Sequence, residues 1–130
     1  MMRILLVLFA FLFVLTGCTS NLGSVKEDML GNVENIDAME EFVQKMKEND
    51  KAKITVLSTG IEGQDGMDVL TFNGIEITVT RTVDEEFIEE LSCSGVEIEK
   101  KADSKVYILQ ECSSESMTEP IDFPILSGKG

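Results

Sequence analysis

The chain has no histidine, no tryptophan, one tyrosine and two prolines, and it sets 11 basic residues against 24 acids. Without histidine the commonest general base is missing, which excludes Ser-His-Asp and Cys-His catalysis. One tyrosine and no tryptophan offer little surface for stacking sugars, so glycoside hydrolysis by a carboxylate pair has little support. No phosphate loop is present: Gly60-Ile61-Glu62-Gly63 and Gly63-Gln64-Asp65-Gly66 lack the lysine and the strand-to-helix setting. A net charge of −13 excludes nucleic-acid binding by phosphate neutralisation.

Long hydrophobic runs are also scarce, with one exception at the start. Met1-Met2-Arg3 is a short positive segment, and Ile4 to Leu15 is a continuous apolar run. At about 12 residues it matches a secretory signal and falls short of the roughly 20 needed to span a bilayer. Leu15-Thr16-Gly17-Cys18 follows it and resembles the lipobox of bacterial lipoproteins. The resemblance implies cleavage before Cys18, diacylglycerol on the Cys18 sulfur and an extracytoplasmic location on the cell membrane. Cleavage would remove Arg3 and no acid, so the net charge moves from −13 to −14. About 113 residues remain, enough for one small domain. Such a charge is repelled by an anionic membrane face. The expected organisation is a signal peptide over 1–17, a lipidated tether over 18–32, a domain over 33–112 and a C-terminal tail over 113–130.

Residues 19–32 are polar and glycine-bearing, with no apolar period, and read as a flexible tether. From Ile36 to about Glu48 the period is helical: Ile36, Met39, Phe42, Val43 and Met46 share one face. Asn35 or Asp37 can cap its start, with Asp37 and Glu40 at capping-box spacing, and Asn49-Asp50 ends it. The period then changes to two. Lys53–Ser58 reads as a strand, and Gly60–Gly66 as a loop. Met67–Phe72 and Ile75–Thr82 read as a hairpin around Asn73-Gly74, the strongest short turn signal. That turn predicts Phe72 opposite Ile75, Leu70 opposite Ile77 and Asp68 opposite Val79. Thr71, Glu76, Thr78 and Thr80 then share the outer face. Val83–Leu91 reads as a turn-like connector. Cys93–Lys100 and Lys105–Cys112 form a second hairpin, in which Ile98 faces Tyr107 and Val96 faces Leu109. The same register sets Cys93 opposite Cys112. Ser113 onward loses the period, although Ile121, Phe123, Ile125 and Leu126 are apolar for a solvated tail.

With Cys18 assigned to lipid, Cys93 and Cys112 remain in an oxidising compartment, and a disulfide between them is the expectation. It closes a loop of roughly 20 residues, for which chain entropy gives about 3 kcal/mol. Two cysteines without histidine do not make a closed zinc site, and no cofactor is implied. Two acidic groups are calcium candidates: Glu62, Asp65 and Asp68 around the glycine loop, and Asp84, Glu85, Glu86, Glu89 and Glu90 in a run. Neither has EF-hand spacing, and a charge run is ordinarily a solvated face.

The domain resembles a family of small lipoproteins of Gram-positive, Bacillus-type bacteria whose domain has no assigned function. The residues that carry the likeness are Asn32-Val33-Glu34-Asn35-Ile36, Met39, Phe42, Lys51-Ala52-Lys53-Ile54 and Gly60-Ile61-Glu62-Gly63. Leu70-Thr71-Phe72-Asn73-Gly74 and the span from Cys93 through Val106-Tyr107-Ile108-Leu109 to Cys112 complete it. The glycine loop departs from the family pattern, being lengthened by Gln64-Asp65-Gly66. The likeness implies fold and location and brings no catalytic or binding residues.

The expected fold is α+β: an N-terminal helix packed on an antiparallel sheet of about four to five strands, the last hairpin disulfide-linked. The expected function is a non-enzymatic, membrane-tethered extracytoplasmic module that binds a protein, such as a cell-envelope protein, or another envelope component, the ligand being unassigned. The Thr71, Thr78 and Thr80 face or the edge of the last strand is its expected surface. The alternatives are an inhibitor or immunity-type lipoprotein against an exported enzyme or toxin, and an envelope enzyme using carboxylates alone. Cys18→Ala is expected to abolish lipidation, leaving the protein released or unprocessed. Fractionation and intact mass check this, and unchanged mass with unchanged membrane retention contradicts it.

Overall fold

The computed structural model describes residues 19–60 and 62–129. The signal segment and Cys18 lie outside the described residues. Among the described residues nine strands and one helix follow in the order β1 (Ser20–Glu27), β2 (Val33–Glu34), α1 (Ile36–Lys47), β3 (Ala52–Thr59), β4 (Asp65–Phe72), β5 (Ile77–Val83), β6 (Glu86–Cys93), β7 (Gly95–Lys101), β8 (Ser104–Cys112) and β9 (Ile121–Lys129). They form a six-stranded sheet, β2-β1-β3-β4-β5-β6, and a three-stranded sheet, β7-β8-β9. The α+β class stands, with more strands than the sequence suggests. The larger sheet is mixed, because β1 runs parallel to β3 while its other pairs are antiparallel.

Helix α1 forms where the period predicts. Ala38, Met39, Phe42 and Val43 are buried, and the helix packs on β1 and β3. Its N-terminus is not side-chain capped. Asn35 takes a left-handed conformation and its Nδ2 instead donates to the Ser24 carbonyl at 2.9 Å. Asparagine tolerates that conformation at low cost, so it ties the helix entry to β1. At the other end the Asn49 N–H donates to the Met46 carbonyl and the Asp50 N–H to the Lys45 carbonyl. Asn49 again has positive φ, which makes this a Schellman stop.

Three segments differ from the sequence reading. Residues 20–27, read as tether, form β1, and Val25 is fully buried. Their backbone groups pair with β3, so the strand needs few apolar residues of its own. Residues 121–129, read as tail, form β9 against β8, with Ile125 and Leu126 buried. Pro124 is accommodated beside a register shift opposite Tyr107 and Ile108, since proline in a sheet keeps to edges and bulges. Residues 83–91, read as a connector, make a hairpin: Val83 pairs with Glu86 across Asp84 and Glu85, both at positive φ. That is the backbone of a type I′ turn, built without glycine.

The Asn73-Gly74 hairpin exists in a shifted register. Phe72 pairs with Ile77, Leu70 with Val79 and Asp68 with Arg81. Asn73 spends its side chain on the turn, Oδ1 accepting from the N–H groups of Ile75 and Glu76 at 2.9 Å each. The loop therefore takes in Ile75, which is 85% exposed. A slip of two residues preserves the face, so Leu70, Phe72, Ile77 and Val79 still point inward and are buried.

The second hairpin has the predicted register. Val96 pairs with Leu109 and Ile98 with Tyr107. Beyond β7 the same alignment continues as a bridge between Ser92 and Ser113, and Cys93 is disulfide-bonded to Cys112. Cys93 also pairs with Ile77 as the last residue of β6. The bond thus joins the two sheets as well as the ends of a hairpin. Helix α1 covers the β1–β3 side of the larger sheet, and β8 approaches its β6 side. β9 returns to β1 and β2, where a Cβ on Gly128 would lie 3.2 Å from Val33 Cγ2.

The two layers enclose one core that includes Val25, Met39, Phe42, Ile54, Leu70, Ile77, Leu91, Tyr107, Leu109 and Leu126. Tyr107 is its one polar intruder. The ring is fully buried, and among the described residues its hydroxyl has no hydrogen-bond partner. Burial pushes its pKa up, and the Glu40 charge adds to this. A buried unpaired hydroxyl costs about 1–3 kcal/mol, whereas deleting it is nearly neutral or stabilising. Tyr107→Phe is therefore expected to raise stability by about 1 kcal/mol. Chemical denaturation measures this, and a clear loss of stability shows instead that the hydroxyl is satisfied.

Candidate functional site

The β5–β6 hairpin shapes the surface on which the candidate site lies. The Asp84 N–H donates to the Asp65 carbonyl, and Asp84 Oδ1 accepts from the Asp65 N–H, both at 2.8 Å. These bonds tie the turn to the start of β4. One step into β6 the register shifts: Thr82 pairs with Phe87, but Arg81 pairs with Glu89. Ile88 is the extra residue of a bulge, which bends the strand and turns its side chains outward. Phe87 is 64% and Ile88 55% exposed. β6 closes one end of the sheet order, so its far edge has no described strand beyond the Ser92–Ser113 bridge.

A groove of about 720 Å³ runs along that edge, between β6 and the loop Ser113–Ser116. Glu76, Thr78, Phe87 and Glu90 line its strand side, and Glu115 its loop side. Glu76 Oε2 accepts from Ser92 Oγ at 2.9 Å, and the Ser114 and Ser116 hydroxyls lie 3.0 Å apart. Carboxylates rim the groove and no lysine or arginine lines it. Of the expected threonine face, only Thr78 reaches it, and Thr71 sits half-buried directly across from Thr78. The last strand of the sequence reading, β8, offers no free edge because β7 and β9 pair with it on both sides.

A second polar cluster closes the inner face of the larger sheet. Arg81 Nε donates to Asp68 Oδ1 at 3.0 Å and Nη1 to Glu89 Oε1 at 3.2 Å. These residues sit on β5, β4 and β6, and pair across the sheet. The guanidinium also lies 5.2 Å from the centroid of the Phe123 ring on β9, a cation–π contact. Burial raises the pKa of Asp68, the charge and hydrogen bond of Arg81 lower it, and the Glu89 charge raises it, with a net upward shift. Glu27 is also raised, chiefly by burial, with the Ser127 N–H opposing and the Asp28 charge adding.

The calcium candidates are not brought together. Glu62 Oε2 accepts from Gln64 Nε2, Asp65 contributes its backbone to the Asp84 turn, and Asp68 is held by Arg81. The acidic run is likewise spread over a turn, an exposed edge and an ion pair with Arg81. Among the described residues no group of three or more cysteine, aspartate or glutamate side chains is placed to hold a metal ion. Cys93 and Cys112 are buried and bonded to each other. Sequence reasoning missed the β6 edge because its turn uses Asp84-Glu85 in place of a glycine dipeptide. The legible signal was the apolar pair Phe87-Ile88 within an acidic run. Comparison with family models, curated proteins and solved structures finds no match.

Removing Arg81 leaves Asp68 charged, largely buried and without its partner, at a cost of about 1–3 kcal/mol. A raised native pKa means that the fold holds the proton more tightly than the unfolded chain does. The contribution of Asp68 is therefore most favourable below the ordinary carboxylate value and is lost as pH rises through the native value. Arg81→Met removes an influence that lowers this pKa and extends the loss. Its penalty is expected to be full at neutral pH and to shrink in acid, where Asp68 is protonated in both proteins. Denaturation midpoints of the two proteins between pH 3 and 7 measure it, and a penalty independent of pH rejects the assignment.

Proposed function

We propose that this chain is a lipid-anchored, extracytoplasmic binding module of the bacterial envelope, of the small lipoprotein type that its sequence resembles. It recognises a protein and catalyses no reaction. The location rests on Leu15-Thr16-Gly17-Cys18 after the apolar run. The observation that carries the binding role is the groove beside β6, where Phe87 and Ile88 stand exposed next to an open strand edge. Contiguous exposed apolar groups rimmed by polar ones mark interaction sites more often than chance surface. The carboxylate rim favours a basic partner, which also suits an inhibitor of an exported basic enzyme or toxin. In-cell crosslinking of the tagged full-length protein, read by mass spectrometry beside the Cys18→Ala control, tests this reading. One recurrent envelope partner, lost or reduced in the control, is the expected result. Recovery of background proteins alone rejects it.

A further inference from the structure

We infer that the open edge of β6 is a strand-addition site for an extended segment of another protein bearing lysine or arginine. The inference rests on the binding reading above and names where and how the partner is held. The chain itself begins the ladder that such a segment would continue. Ser92 donates its N–H to the Ser113 carbonyl at 2.8 Å and accepts from the Ser113 N–H at 2.9 Å. That is the closed pair of an antiparallel sheet. The chain then leaves the edge: the Met117 N–H turns back to the Ser114 carbonyl at 3.1 Å. By alternation, the Glu90 backbone groups point to the same side as those of Ser92. They face the groove with no described strand opposite.

Side chains specify the occupant. Strand addition draws affinity from the backbone and selectivity from alternate side chains. On this edge Glu90 precedes Ser92, and the exposed Phe87 and Ile88 lie beyond it. Glu90 and Glu115 line the groove, and no ion pair engages either among the described residues. An incoming strand therefore fits best with a basic side chain opposite Glu90. An apolar side chain further along then rests against Phe87. A second copy of this chain is disfavoured, because edge-to-edge pairing would bring carboxylates together; charged edges ordinarily prevent such pairing. The same charge that repels a copy attracts a basic strand.

The test uses the full-length protein in detergent and a synthetic decapeptide that alternates lysine and threonine around a central phenylalanine. Two control peptides carry proline on both sides of the phenylalanine, or glutamate for lysine. The first peptide is expected to bind and to slow amide exchange within residues 86–91. Each control is expected to bind at least about tenfold more weakly. Phe87→Ser and Glu90→Lys, both at exposed positions, are each expected to weaken binding about fivefold or more while leaving the denaturation midpoint close to that of the parent. Equal binding of the proline peptide overturns strand addition in favour of charge attraction alone. Failure of the lysine–threonine peptide to bind, protection confined to residues outside 86–91, or sedimentation showing a dimer lost in Phe87→Ser also overturns it. If crosslinking recovers a partner that Phe87→Ser does not release, the edge is rejected and the binding module stands. If neither peptide nor partner is captured, both readings fail.

Discussion

The structure depends on one crossing point, where Ser92-Cys93-Ser94 passes from the six-stranded sheet to the three-stranded one. Upstream of it β6 pairs with β5, and downstream β7 pairs with β8 in a single unbroken register. A strand that serves two sheets must keep both sets of bonds at the switch. Here Cys93 pairs with Ile77 on one side while its sulfur is bonded to Cys112 on the other. The covalent link thus joins the two layers at the point where the chain passes between them. Beyond it, Tyr107, Leu109 and Leu126 are enclosed between the layers, and β9 returns to β1 and β2. Lys105 Nζ to Glu40 Oε1, at 3.2 Å, is a half-exposed ion pair, a type that contributes little.

What the sequence made legible was whatever depends on periodicity within a segment. The helix stripe, β3, the inward face of β4 and β5, and the entire β7–β8 register could be read from spacing. Two independent constraints agreed at the second hairpin, apolar pairing and cysteine pairing, and there the register was found. At the first hairpin only the Asn73-Gly74 turn was available. The asparagine could serve by its backbone angle or by its side chain, and it serves by its side chain. The side-chain option adds two residues to the loop and expels Ile75.

The remaining differences arise where tertiary partners supply what the local sequence lacks. β1 holds one fully buried residue, Val25, and takes its backbone bonds from β3. β9 contains a proline that forbids a regular ladder and is seated through a bulge. Asp84-Glu85 forms a tight turn with no glycine, held by the Asp65 backbone, and so carries no turn signal of its own. The candidate site lies on that hairpin, where the five acids of residues 84–90 pointed to cations and drew attention from Phe87 and Ile88. Those acids divide between the turn, the inner ion pair and the strand edge, and the two apolar residues among them mark the edge.

The start of β1 at Ser20 has a mechanical meaning. One residue, Thr19, separates it from Cys18, so the two positions lie within about 7 Å at full extension. If Cys18 carries the proposed lipid, the leash is short, and the body of the domain would stand close to the bilayer. In that case β1 and β3 would lead away from the membrane, β4 back, β5 away and β6 back, because β1 and β3 are parallel and the later pairs antiparallel. Cys93 would sit at the foot and Glu86 at the top, with the edge rising about 25 Å between them. The domain would work as a fixed post whose reading edge is held upright at one height. Its reach is set by the length of a strand.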